Sequence, residues 1–145
     1  EIYTEVSKLD SEVLDYYVID PEWKIKTILL HIAKASNNYG QFINGVTETE
    51  PLELEEPSSS DDIKVLTDKL YEIDQGLIDN QGIGDVDLTI KMRSGVKEHK
   101  SSTIFSQMVF HAAEHRAQIV AALDRHNVRS INLDDYDVWS YIRAH

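Results

Sequence analysis

Residues 19–45, IDPEWKIKTILLHIAKASNNYGQFING, carry the strongest helix signal in the chain. Asp20 offers an N-cap, Pro21 suits the first helical position, Glu22 favours the positive end of the helix dipole and Gly45 is a natural stop. On a wheel advancing about 100° per residue from His31, the side chains of Ile25, Ile28, Ile32, Tyr39 and Ile43 fall between about 60° and 120°. The stretch therefore predicts one long amphipathic helix, with His31 at the edge of its apolar face. Such a face has to be covered by other elements.

Working outward, the same period recurs. Ile2, Val6, Leu9 and Val13 trace a first helical face, with a break expected near Asp10 and Ser11. Residues 45–60, GVTETEPLELEEPSSS, read as a solvated acidic loop. Ile63, Leu66, Leu70, Ile73 and Leu77 form the apolar stripe of a third helix, ended by Gly82 and Gly84. Residues 103–128, TIFSQMVFHAAEHRAQIVAALDRHNV, form a second long helix capped by Ser101 or Ser102 and stopped near Asn127. Between them Val86, Leu88, Ile90 and Met92 alternate with polar residues, and Ser94-Gly95 turns the chain, which predicts a short extended hairpin. INLDDYDVWSYIRAH, residues 131–145, suggests a short closing helix. The fold expected is all-α: one four-helix bundle domain over residues 1–145, with the short hairpin as an accessory.

Composition narrows the function classes. With 14 Lys and Arg against 26 Asp and Glu, the formal net charge is −12, which repels phosphate backbones and anionic lipid surfaces and argues against nucleic-acid and membrane partners. The chain has no cysteine, so a cysteine nucleophile, thiolate metal ligands and disulfides are excluded. No apolar run approaches bilayer length. The first residues, EIYTEV, are already in helical rhythm and lack Met; natural residues are expected before Glu1. A soluble cytoplasmic domain is the working class.

His111 and His115 stand at i and i+4, on one face and one turn apart, where both can reach one ion at about 2.0–2.1 Å. Ile104, Met108, Ala112, Ile119 and Leu123 lie between about 20° and 120° from His111, and His115 at about 40°, so the pair borders the apolar seam. His31 borders the seam of the other long helix and supplies a third imidazole. Imidazole suits zinc, nickel, iron and copper alike. A zincin-type protease is excluded by Ala112, which stands where that motif needs a glutamate. Arg116, about 140° from His111, falls among apolar neighbours and predicts an interhelical ion pair; Gln118, at about −20°, is placed beside the ligands. Trp23 and Tyr39 read as core. His99 lies in a Lys-rich turn, His126 at a helix end and His145 at the terminus.

The Trp23 to His31 segment, WKIKTILLH, followed by the His-x-x-x-His-Arg-x-Gln-Ile helix at His111, His115, Arg116, Gln118 and Ile119, resembles the DinB-like (YfiT-like) metalloenzyme superfamily, which is distinct from the DNA polymerase of similar name. The resemblance spans nearly the whole chain. It implies an up-down-down-up four-helix bundle, often a homodimer, with a divalent ion (zinc, nickel or iron) held by His31, His111 and His115. It also implies links to bacterial stress responses and, in some branches, transfer or use of low-molecular-weight thiols. The expected function is a metal-dependent enzyme acting on a small molecule or thiol. The alternative is a non-catalytic bundle with a structural metal or a binding role.

Overall fold

The computed structural model describes residues 2–79, 84–92 and 94–144. Its elements, in chain order, are α1 (Ile2–Val6), a 3-10 turn (Ser11–Asp15), α2 (Ile25–Ile43), α3 (Ser60–Asp79), β1 (Asp87–Met92), β2 (Gly95–Lys100), α4 (Ser101–Arg125), a second 3-10 turn (Leu133–Tyr136) and α5 (Val138–Ala144). The helix end expected at Gly82 and the terminal His145 lie outside the described residues.

One finding overturns the all-α four-helix bundle. The long helices are α2, α3 and α4, at 19, 20 and 25 residues, and the first helical stretch divides, as expected, at Asp10 and Ser11 into a five-residue α1 and a 3-10 turn. Beside them, however, β1 and β2 form an antiparallel sheet in the register Leu88↔His99, Ile90↔Lys97 and Met92↔Gly95. The turn is closed by Gly95 at φ 110, a conformation that costs a glycine little. The hairpin is a structural layer. Leu88 and Ile90 point inward and, with Ile104 of α4, form a core of their own against Tyr39, Phe42 and Ile43 of α2. The fold is therefore mixed, because a period-two sequence buries its apolar face only when extended. His99 accordingly sits in a strand, and its buried Nε2 has no partner among the described residues.

The main core joins α1, α2, α3, α4 and the first 3-10 turn around Ile25, Ile28, Leu29, Leu66, Ile119 and Leu123. Helix α2 is the axis of this arrangement, packed against both α3 and α4. At Gly40 an added Cβ would stand 3.2 Å from Ile73 Cγ2, so the glycine permits the close approach of α2 to α3. The acidic loop after α2 is more anchored than its composition suggests. Leu52 and Leu54 pack on the core, Pro57 is fully buried, and Gln41 exchanges two hydrogen bonds with the backbone of Glu50.

Helix α4 is fixed at both ends. Asp85, in the segment before β1, accepts hydrogen bonds from the Ser102 backbone and the Ser101 hydroxyl. At the other end Asn127 turns left-handed at φ 62, and the Val128 N–H reaches back to the Leu123 carbonyl. Both anchors set the rotation of the helix that carries His111 and His115. No helix among the described residues is long and apolar enough to cross a membrane.

Candidate metal centre

Helix α2 begins at Ile25, four residues later than Pro21 had suggested. Asp20 uses its carboxylate on the Glu22 N–H and its carbonyl on the Trp23 N–H, so residues 20–23 close a turn. The Ile25 N–H then bonds to the Tyr16 carbonyl. This turn, unlike a longer helix, sets the Trp23 indole edge-on to His31, with ring centres 5.1 Å apart.

The packing of α2 on α4 brings His31, His111 and His115 together. His31 Nε2 lies 3.0 Å from His111 Nε2, and His115 Nε2 lies 3.1 Å from the same atom. His115 is buried at 7 % exposure, and the other two are half-buried. Trp23 packs beside His31 and His115, and Tyr39 stands edge-on to His111 at 5.8 Å. The three residues read from the sequence therefore converge. His126 sits elsewhere, stacked on Tyr16 at 3.9 Å.

A chain of hydrogen bonds fixes the tautomer of His115. The Trp23 indole Nε1–H can only donate, and it donates to Gln118 Oε1 at 3.0 Å. The atom that Gln118 presents there must be its carbonyl oxygen. His115 Nδ1 lies 2.7 Å from that same oxygen, so Nδ1 carries the proton and donates. In the neutral ring the lone pair is then on Nε2, aimed at His111. Sequence reading placed Gln118 beside the ligands and Trp23 in the core, where it does pack, but did not read the hydrogen bond that joins them. The available signal was the buried indole N–H, which needs an acceptor.

These contacts test the site for an ion. An imidazole Nε2 has a single in-plane lone pair or hydrogen, so His111 cannot form two good hydrogen bonds to two neighbouring Nε2 atoms. One cation accepting all three lone pairs removes the conflict. An ion about 2.0–2.1 Å from each nitrogen needs nitrogens about 3–3.5 Å apart, which is the spacing of both contacts at His111. The trio lies close enough to hold a metal ion. Burial, and next the His115 ring, hold His31 below the ordinary histidine value of 6.5. Burial, then the His115 and His31 rings, do the same for His111, against an opposing pull from Glu114. Both shifts favour the neutral imidazole that a metal requires.

Arg116 departs from expectation. Among the described residues it forms no ion pair, and it lines a cleft of about 400 Å³ with Ser36 of α2 and Asp74 of α3. Compared with known proteins, the chain matches no family model, no curated protein and no solved structure.

Proposed function

We propose that His31, His111 and His115 hold a divalent ion, zinc, nickel or iron, and that the protein is a metal-dependent enzyme acting on a small molecule, with a low-molecular-weight thiol as the leading candidate. The convergence of three Nε2 atoms carries this reading. The motif resemblance to DinB-like metalloenzymes supports it. Three protein ligands leave coordination positions open, as in catalytic sites, whereas structural zinc is closed by four. When bound, the ion would keep its full charge and lower the pKa of a thiol or water beside it.

The chain's own residues do the rest. Gln118 and Trp23 orient His115 and hold its lone pair toward the ion position. Trp23 and Tyr39 wall the site with aromatic surface and restrict water around the imidazoles. Because the chain has no cysteine, any thiol taking part would have to be brought by the substrate.

The test has two steps. Elemental analysis should find about one ion per chain in the wild type and none in the His31→Ala/His111→Ala/His115→Ala variant; equal metal in both would end the proposal. Thiol transfer to a model electrophile, assayed with bacillithiol, mycothiol and glutathione, should then depend on the ion. Metal binding without turnover would favour a second reading, a non-catalytic binding or dimerisation module. That reading draws on the apolar surface of α4, where Phe105, Val109 and Phe110 are 37 %, 49 % and 73 % exposed. The same surface suits a homodimer, which light scattering of the purified protein would detect.

A further inference from the structure

Trp23 and Gln118, the pair that fixes His115, also line a separate pocket of about 500 Å³. Its floor is Ile28, fully buried in the core. Val18 and Ile19, from the segment before α2, form one wall, and Ala117 and Ala121 of α4 form the other. The interior is therefore apolar, and hydrophobic burial would drive occupancy.

The charged groups at this pocket are all of one sign. Asp20 and Glu114 line it, and no Lys, Arg or His does. Asp20 spends one carboxylate oxygen on the Glu22 N–H. On a chain of net charge −12, a carboxylate or phosphate ligand would meet repulsion here from the pocket and from the whole surface. An ammonium group meets attraction from both. Ile19 adds a further observation, since this large aliphatic side chain is 85 % exposed at the lip, where an apolar occupant would give it a surface to cover.

We propose that this pocket binds small apolar amines, an aliphatic or aromatic body lying on Ile28 and Trp23 with its ammonium between Asp20 and Glu114. The pocket is a binding site beside the histidine centre, lined by none of its three imidazoles, and it stands whether or not those imidazoles hold an ion. Occupants would touch Trp23 directly, so the indole reports binding.

The experiment uses the full chain, freed of metal with EDTA, in a Trp139→Phe background that leaves Trp23 as the single tryptophan. n-Hexylamine and n-hexanoate are titrated at pH 7.5 while the indole fluorescence is followed. The expected result is a saturable response to hexylamine and at least tenfold weaker binding of hexanoate. Asp20→Asn/Glu114→Gln should erase that preference. Ala117→Leu/Ala121→Leu should abolish the hexylamine response; both positions are exposed on α4, so the variant should keep the wild-type circular dichroism. No saturable response, equal binding of the two probes, or hexylamine binding that survives the filled pocket would each overturn the proposal. Metal content is measured on separate samples. Amine binding by a chain that takes up no ion would refute the metal reading and leave the pocket standing.

Discussion

Gln118 is the residue on which the geometry of the site turns. Its single carbonyl oxygen receives both the Trp23 indole N–H and the His115 Nδ1–H, so its loss frees the His115 ring to rotate or change tautomer. Gln118→Leu should weaken zinc binding by about 10- to 100-fold, the range seen when a ligand's hydrogen-bonding support is removed. Competition with a chromophoric chelator measures it, and unchanged affinity would show that packing alone orients His115. Trp23→Phe removes one donor but leaves the oxygen paired to His115, so a smaller loss is expected. His31, His111, His115 and Gln118 were all legible in the sequence because helix periodicity assigns angles. The contact of Trp23 with Gln118 was not, since it crosses 95 residues and depends on a turn rather than a helix.

At the scale of elements, the hairpin separates the expected bundle from the observed fold. Its alternating sequence was legible; its place in the core was not, because period two says which residues share a face but not what covers that face. Ile90 is 1 % exposed and packs with Leu88 and Ile104. Ile90→Ala should therefore cost about 2–5 kcal/mol, the usual range for truncating a buried isoleucine. Urea denaturation checks this, and a cost below about 0.5 kcal/mol, typical of surface substitutions, would mean that the hairpin is an accessory after all. The contact of α2 with α3 makes a parallel case. Gly40→Leu places a side chain where even a Cβ stands 3.2 Å from Ile73, and overpacking of this kind costs about 1–3 kcal/mol.

For the whole molecule, the histidines tie stability to pH. The folded chain holds His31 and His111 below 6.5, so near that pH the unfolded chain binds protons that the folded chain refuses. Stability contributed by the neutral rings is full above 6.5, falls as the pH drops through 6.5 and is gone below the folded values. Urea midpoints of the metal-free protein should decline from pH 7.5 to 5.5, and His31→Gln/His111→Gln should flatten that slope. Asp15, Asp62 and Asp85, held below 3.8 by hydrogen bonds to Lys24 and Lys26, to Ser58 and to Ser102 respectively, act in a more acidic window. Zinc at 100 times its Kd should add about 2.7 kcal/mol to the stability of the wild type and nothing to the triple-alanine variant. Calorimetry would show this as a higher unfolding temperature in the wild type alone.

Local rules determined the long helices, the strand period and the angular position of each histidine, because these depend on residues within a few turns of one another. Which faces meet depends on interactions between distant segments. Only the tertiary structure decided that the hairpin would close a second core, and that α2 and α4 would pack in a register that brings three imidazoles within hydrogen-bonding distance. A shift of one turn along α4, about 5.4 Å, would preserve every local signal and separate the three nitrogens.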